Sequence, residues 1–384
     1  MPTPKSYQGF ELGPIRPPSE AQSLMLRITR NCPWNKCKFC GLYKREMFSI
    51  RPVDHVKKDI DAMRQIIDDI EQLMAQPDSG SQRALFELQA SRPASDQLAF
   101  QMALNWFKSG MKSIFLQDAN TLIIKPDDLV EILNYARTAF PKVERITSYA
   151  RSHSIARISD DDMQRIEAAG LNRIHVGMES AADGVLAFIK KGVDKNTHIV
   201  AGQKVKRAGI ELSEYFMPGL GGVEFSREHA LESADAINQI DPDFIRIRTL
   251  AIPEQVELFN DVRSGAFTPC GDLQTAGELL LFLDHLQGIS STVKSDHILN
   301  LFQDVDGRLP EEKERITAPI RTFQLLPPEE QLLYVVGRRT GIFSRLDDLD
   351  DLELRGHAEK ARAAHRVTLE NVEEFAAEIV KQYI

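Results

Sequence analysis

Cysteine is scarce in this chain, with four among 384 residues, which excludes a small disulfide-stapled secreted domain. Long apolar runs are missing too, and nothing approaches the ~20 consecutive apolar residues that span a bilayer. The N-terminus, with Pro2, Pro4, Pro14, Pro17 and Pro18, is polar and has no apolar signal core. These absences point to a cytoplasmic protein with no membrane partner, in a compartment that keeps thiols reduced. Positive charge is in deficit: a net charge of −9 argues against a general nucleic-acid footprint, though not against a local basic groove. The phosphate-loop pattern G-x4-G-K-[ST] is also absent. What remains is 42% hydrophobic and 27% charged, ordinary for a globular protein and long enough for one large α/β domain plus an appendage.

The few cysteines are not scattered. Three fall within nine residues, Cys32-Pro-Trp-Asn-Lys-Cys37-Lys-Phe-Cys40, directly after the strand-like run Leu24–Thr29. Three thiolates on one short loop can hold three irons of a cubane [4Fe–4S] cluster and leave the fourth iron open to a substrate or cofactor. Zinc is the alternative, but structural zinc wants four ligands, usually as two separated pairs. Here the remaining cysteine, Cys270, has no partner at that spacing, so zinc would need one of the nine histidines. Simple burial of unligated cysteines conflicts with Trp34, Asn35 and Lys36 in the loop.

The strand, then Thr29-Arg30-Asn31, then C-x4-C-x2-C with Phe39 before the last cysteine and Gly41 after it, resembles a radical S-adenosylmethionine (SAM) enzyme. The commonest form of that signature is C-x3-C-x2-C, and the first gap here is one residue longer. Longer gaps occur in some branches, including the Elongator catalytic subunit, whose loop also begins Cys-Pro. The resemblance covers roughly residues 20–302. It implies a [4Fe–4S] cluster on Cys32, Cys37 and Cys40, with SAM chelated through its amino and carboxylate groups at the open iron. Reductive cleavage then gives methionine and a 5′-deoxyadenosyl radical that abstracts hydrogen from a substrate the sequence does not name. It also implies an electron donor such as flavodoxin or ferredoxin.

Strand-like runs at Leu24–Thr29, Ser113–Gln117, Arg145–Tyr149, Arg173–Gly177, Glu211–Met217 and Phe244–Leu250 alternate with helical stretches. That alternation implies βαβ units and a parallel sheet. Six such strands fit the α/β, partial parallel (βα)6 barrel that the resemblance implies, and Asp296–Leu301 is a candidate seventh strand. The first crossover is far longer than the dozen or so residues one requires. It reads as a helical insertion at about 51–110, with helices at Arg51–Met74 and Ser95–Lys108 and a loop over Gln76–Pro93, either capping the site or decorating the surface. The expected division is an N-terminal extension over 1–20, a core over 21–304 and a helical C-terminal region over 305–384, whose acidic Asp347–Asp351 run reads as a solvated face.

Active sites of parallel barrels lie at the C-terminal ends of the strands, which selects the residues to inspect. The second strand ends in Gln117-Asp118-Ala119-Asn120, where the resemblance implies contacts to the methionine amino group, although the usual Gly-Gly-Glu-like motif is missing. Ser148 and Arg151, at the end of the third, are candidates for the SAM carboxylate, or a strand-end hydroxyl and a surface arginine. Glu179, in Gly177-Met-Glu-Ser180, suits the ribose hydroxyls, or else favours the following helix dipole. Met217-Pro218-Gly219-Leu-Gly-Gly222 reads as a loop passing close to the adenosyl group, or as a turn needing positive φ. Arg246 and Arg248 share a face of the sixth strand and suit an anionic group, or simply face solvent. Phe39 would pack on cluster or adenine. Lys190 and Lys191 read as helix-end dipole partners, and His297 and Cys270 as structural more than catalytic.

The absences narrow the reaction. One left-over cysteine cannot build a second cluster, which argues against methylthiotransferases and cysteine-rich maturases. Thirty-one residues before Cys32 leave no room for an N-terminal cobalamin domain, and about 80 residues after the core leave none for an acetyltransferase half. The segments Thr29–Cys40 and Ser295–Asn300 most resemble single-cluster members grouped with cobalamin-dependent radical enzymes but lacking their cobalamin domain. The rival readings are an iron–sulfur electron carrier or scaffold and a zinc-binding module.

Overall fold

The computed structural model describes residues 6–75 and 82–381. The chain divides into two compact units, Met1–Pro33 with Arg45–His175 and Arg207–Glu211, and Trp34–Lys44 with Val176–Lys206 and Leu212–Ile384. Strands pair in parallel apart from two short antiparallel pairs, and helices alternate with them, so the α/β class expected of a partial (βα)6 barrel is the one found.

In the first unit, β1 (Leu24–Arg27) is followed by a two-residue ribbon, β2 (Thr29–Arg30) against β3 (Ser49–Ile50). The long crossover holds α1 (Val53–Met74), α2 (Gln82–Ala90) and α3 (Gln97–Lys108) before β4 (Ser113–Gln117). Next come α4 (Pro126–Ala139), β5 (Arg145–Ala150), α5 (Ser152–Arg157) and α6 (Asp160–Ala168). β1, β4 and β5 are parallel neighbours, with Leu24 opposite Ile114 and Ile114 opposite Ile146. α1 buries Val56, Ile60, Met63, Ile66, Ile67 and Ile70, the helical repeat that its sequence advertises, and packs on β1, α3 and α4. α1 and α3 are therefore part of the layer behind the strands rather than surface decoration. Its expected loop over Gln76–Pro93 is corrected in part: residues 76–81 lie outside the described residues, and most of the rest is α2.

β6 (Leu171–Glu179) runs from one unit into the other. The second unit continues with α7 (Asp183–Phe188), α8 (Lys195–Arg207, whose last residue belongs to the first unit), β7 (Glu211–Phe216), α9 (Gly222–Ile240), β8 (Phe244–Ile247), α10 (Glu257–Ser264) and α11 (Asp272–Asp284). Gly170 and Gly209, with φ of 109° and 81°, supply the left-handed turns expected after α6 and α8. The expected seventh strand at Asp296–Leu301 is displaced: the strand is β9 (Thr292–Lys294), parallel to β8 and antiparallel to β10 (Gly307–Arg308). Residues 295–302 are instead held by side chains, Ser295 donating to the Phe302 carbonyl and Asn300 to the Ile247 carbonyl.

The C-terminal helices are α12 (Lys313–Leu325), α13 (Pro328–Arg339), α14 (Leu352–His365) and α15 (Val372–Val380), and residues 382–384 of the expected final helix lie outside the described residues. They share one apolar core with the strands, since Phe323, Tyr334 and Phe343 cluster with Phe216, Ile245 and Phe282. Arg338 and Arg339, both buried, donate to the carbonyls of Asn300, Leu301 and Leu299. In the acidic run, Asp348 accepts the Ser344 amide and Asp351 caps α14, while Asp347 and Asp350 face solvent.

Candidate functional site

In the first unit the polar end of β4 is occupied by its own neighbours. Asp118 is fully buried and its Oδ2 accepts both Nε (3.0 Å) and Nη2 (2.8 Å) of Arg27, together with the Asn31 amide at 3.2 Å. Arg27 ends β1, and Asn31, at φ 67°, immediately precedes Cys32. Asp118 thus ties the end of the first strand to the start of the cysteine loop. Gln117 is equally engaged, accepting the Gly13 amide and donating to the Ile15 carbonyl. Gly13 lies so close that a Cβ there would be 2.6 Å from Asp118 Oδ1.

Asn120 accepts the Arg151 amide at 3.0 Å and donates to Ser154 at 2.8 Å, so it fixes the start of α5. Arg151 is the residue before that helix. Ser148 is buried and its hydroxyl has no hydrogen-bond partner. Strand alternation puts it beside Leu116, on the face opposite Tyr149, whose ring meets those of Phe115 and His175 at 5.3 and 5.8 Å. Of the residues expected here, Asp118, Asn120 and Arg151 are tied into local structure, and Ser148 points away from the polar face.

In the second unit, residues 34–44 carry the rest of the cysteine loop. The Lys38 amide donates to the Ile189 carbonyl and its own carbonyl accepts the Leu258 amide. Trp34 donates to the Lys190 carbonyl at 2.7 Å, and Gly192 passes so close to the indole that any Cβ would collide with it. Phe39, with Phe188 and Leu250, packs against apolar clusters that include Leu220 and Val256. Lys191 is buried, sits 5.7 Å from the Phe39 ring centroid and pairs with Glu179 at 3.6 Å. This corrects the reading of Lys191 as a helix-end dipole partner: α7 stops at Phe188, and Lys190, with φ 56°, turns the chain so that Lys191 points inward.

Glu179 itself has φ 66°, uncommon for a residue with a side chain and most frequent at functional positions. Its Oε2 is buried without a partner. Its carboxylate folds back over Gly177, where a Cβ would lie 2.3 Å from Oε1, so any side chain there would have to displace the Glu179 carboxylate. Glu214 on β7 is fully buried, and burial followed by the charge of Glu179 raises its pKa well above the carboxylate range.

β7 runs into Met217-Pro-Gly-Leu-Gly-Gly222, where Gly219 has φ 87° and the Leu250 amide bonds the Pro218 carbonyl. Beneath it lies a polar network from α9 and α11: Glu278 accepts the Gly219 amide, and His229 lies 3.0 Å from the Met217 carbonyl. Arg246 is buried and pairs with Asp296 at 2.8 Å. Arg248 is exposed, so the two arginines differ in surroundings although they share strand parity. His297 is half-buried, and burial followed by the charge of Arg248 holds it down at about 4. Cys270, half-buried, is pushed up to about 12 by burial and the charge of Glu278 and stays a thiol.

The three loop cysteines are half-buried, and among the described residues no three His, Cys, Asp or Glu side chains converge as a metal site. The fit to an iron–sulfur cluster rests on the donor set: three thiols on one loop anchored by the Asn31 and Lys38 backbone and the Trp34 indole. Sequence reading gave Lys191 a helix-end role and missed Arg27, Glu214, His229 and Glu278. The last two lie on helices, where one polar residue leaves no periodic signal. Lys191 had a signal, adjacency to a turn glycine, but was assigned to the helix end.

The sequence model of the radical SAM superfamily matches residues 26–234. Over 112 residues, 29% of this chain, the sequence is 25% identical to a tRNA uridine(34) acetyltransferase of Methanocaldococcus infernus, and the match spans only 21% of that protein's length. An Elp3 structure from the same archaeon aligns at TM-score 0.43 and 15% identity, over 60% of this chain and 59% of that one. Coproporphyrinogen III oxidase of Escherichia coli, a radical SAM enzyme, aligns at TM-score 0.45 and 14% identity, over 69% and 52%. No helix among the described residues is long and apolar enough to cross a membrane.

Proposed function

The chain belongs to the radical SAM superfamily, whose members use a [4Fe–4S] cluster and SAM, and we propose that it generates a 5′-deoxyadenosyl radical to abstract hydrogen from its substrate. The observation that carries this is the triad Cys32, Cys37 and Cys40 on one loop directly after β2, inside the segment the family matches. When bound, the cluster supplies the electron that cleaves the SAM sulfonium, drawn from a donor of the flavodoxin or ferredoxin type.

This chain's own residues have separate tasks. Cys32, Cys37 and Cys40 hold three irons as thiolates. Phe39, wedged in an apolar cluster, presents a ring beside them. Glu179 accepts hydrogen bonds from the ribose hydroxyls, a role supported by its unpartnered Oε2 and by the Lys191 cation 3.6 Å from its Oε1. Pro218 and Gly219 let backbone pass close to the adenosyl group, and Arg248 and Arg151 offer cations to the SAM carboxylate. Asp118 and Asn120 position backbone in this reading, with Asp118 Oδ2 engaged by Arg27 and Asn31 and Asn120 Oδ1 by Arg151. Residues 21–304 form the catalytic core in this reading, with 305–384 buttressing it.

Anaerobic reconstitution with iron and sulfide, followed by reduction in the presence of SAM, tests the proposal. The expected result is a brown protein that releases 5′-deoxyadenosine and methionine. A protein that bleaches on reduction without cleaving SAM is an electron carrier, and a colourless one that retains zinc is a zinc module. Either outcome sinks the proposal.

A further inference from the structure

α9 and α11 carry buried polar side chains that the proposed reaction does not use. Glu278, 3% exposed, accepts the Gly219 amide on Oε1 and the Ser226 hydroxyl on Oε2, both at 2.6 Å. His229, fully buried, has Nε2 at 3.0 Å from the Met217 carbonyl. A carbonyl only accepts, so Nε2 carries the proton and Nδ1 is left to accept the Ser180 hydroxyl at 2.8 Å. Ser180 Oγ also accepts the Ala182 amide at 3.1 Å. Ser180 directly follows Glu179, and Met217 and Gly219 belong to the glycine loop. Two side chains only 3.6 Å apart therefore tie together the end of β6 and the loop after β7. A buried carboxyl is costly unless hydrogen-bonded. What this one holds is a backbone amide at a glycine of positive φ.

We infer that Glu278, together with His229, is a positioning residue that holds the Ser180 strand end and the Met217–Gly222 loop in the geometry that receives SAM, with a grip that loosens when the Glu278 carboxylate is protonated. This rests on the reading above, in which Glu179, Pro218 and Gly219 contact SAM. Burial pushes Glu278 up to about 7, against the opposing pull of the Ser226 hydroxyl and the Gly219 amide. The groups that face it leave that titration to Glu278 alone. From α9, His229 is held down at about 4 by burial and stays neutral. From the segment before α11, Cys270 stays a thiol; Glu224 of α9 and Glu373 of α15 act on Cys270. The loop itself carries no titratable side chain. Protonation turns a charge-assisted bond from the Gly219 amide into a neutral one, roughly half as strong. SAM should therefore bind more tightly at about pH 8 than at about pH 6, by roughly threefold to tenfold.

The test compares the full-length wild type with Glu278→Gln and Glu278→Ala. Amide hydrogen exchange is read on the 217–222 peptide without SAM, and SAM affinity is read by anaerobic calorimetry on reconstituted protein, with iron counted on the same samples. Glu278→Ala should expose the peptide to exchange at least about tenfold faster and weaken SAM binding about tenfold with full iron. Glu278→Gln keeps an acceptor for Gly219 and a donor towards Ser226. It should retain most of the protection and bind SAM at every pH about as tightly as wild type does at about pH 6, having lost the dependence on pH. Unchanged protection in Glu278→Ala, or a wild-type pH profile in Glu278→Gln, overturns the inference. Should Glu278→Ala fail to fold, the pH profile of Glu278→Gln decides alone. Should wild type not bind SAM while exchange behaves as expected, the SAM reading falls and the loop-holding role stands.

Discussion

The strand ends of the two units differ in what their polar groups have left to do. In the first unit Gln117, Asp118 and Asn120 are engaged by Gly13, Arg27, Asn31 and Ser154. In the second, Glu179 keeps a buried oxygen without a partner in a left-handed backbone conformation, beside a cation. Engaged groups hold backbone in place. Groups with spare capacity and strained backbone are where a ligand gains most, because it supplies the missing hydrogen bonds. The lesson is that a polar residue at a strand end is a scaffold or a ligand contact according to its remaining valence, and chemistry alone does not tell which.

The cysteine loop joins the two regimes, and its removal has the largest expected effect. Cys32→Ala, Cys37→Ala and Cys40→Ala should each abolish the cluster, seen as loss of bound iron and of visible absorbance after reconstitution. Cys270→Ala should keep it, because that thiol lies in the network of Ser226 and Glu278. Iron lost from Cys270→Ala would mean that no iron is open to SAM.

Next in size is Asp118→Ala, which tests the scaffold half of the comparison. It removes the nearer carboxylate from the Arg27 guanidinium, 15% exposed, leaving Glu11 at 3.8 Å, and takes the acceptor from the Asn31 amide. Removing one partner of a buried pair costs about 3–5 kcal/mol. Chemical denaturation should show a loss near the lower figure, since Arg27 is not fully buried. Iron retention should fall with it, because Asn31 is the last residue before Cys32. Asp118→Asn keeps an acceptor and should recover most of both. Full stability with lost SAM affinity in Asp118→Ala would move Asp118 to the ligand side.

Much of this architecture was legible. All six expected strands form, within three residues at each end, because alternation and turn glycines agree with the parallel sheet. The misses have physical causes. Asp296–Leu301 reads as a candidate strand, yet Asn300 is drawn off to Thr249 and the Ile247 carbonyl, and side-chain bonds replace a ladder. Pro77 to Gly80 announced a loop, but turn chemistry says nothing about Gln82–Ala90 beyond it. Asp118 was legible as a buried polar strand end. Its partner Arg27, 91 residues away, was not, so its engagement was invisible.

Glu179→Gln probes the ligand half. It keeps the shape and one acceptor oxygen but loses charge-assisted bonds, which contribute about 1.5–3 kcal/mol. SAM affinity should weaken roughly tenfold to a hundredfold, with iron unchanged, by calorimetry on reconstituted protein. Lost iron would make Glu179 a scaffold residue like Asp118 and erase the contrast. Unchanged binding with full iron would make it a residue that merely turns the chain into α7.

The smallest effect is expected at Ser148, which sharpens the comparison by separating spare valence from access. Its hydroxyl, like Glu179 Oε2, is buried and unpartnered, yet it lies on the strand face shared with Leu116 and opposite Tyr149. A buried hydroxyl without a partner contributes desolvation cost and no bond. Ser148→Ala removes that cost and leaves a gap of one oxygen, so stability should stay within about 0.5 kcal/mol of wild type or rise. SAM affinity should stay within about twofold, since a group on the wrong face has no ligand to meet. A tenfold loss of affinity with unchanged stability would show that the hydroxyl reaches SAM after all. Spare valence, not the face of the strand, would then be what marks a contact in the first unit.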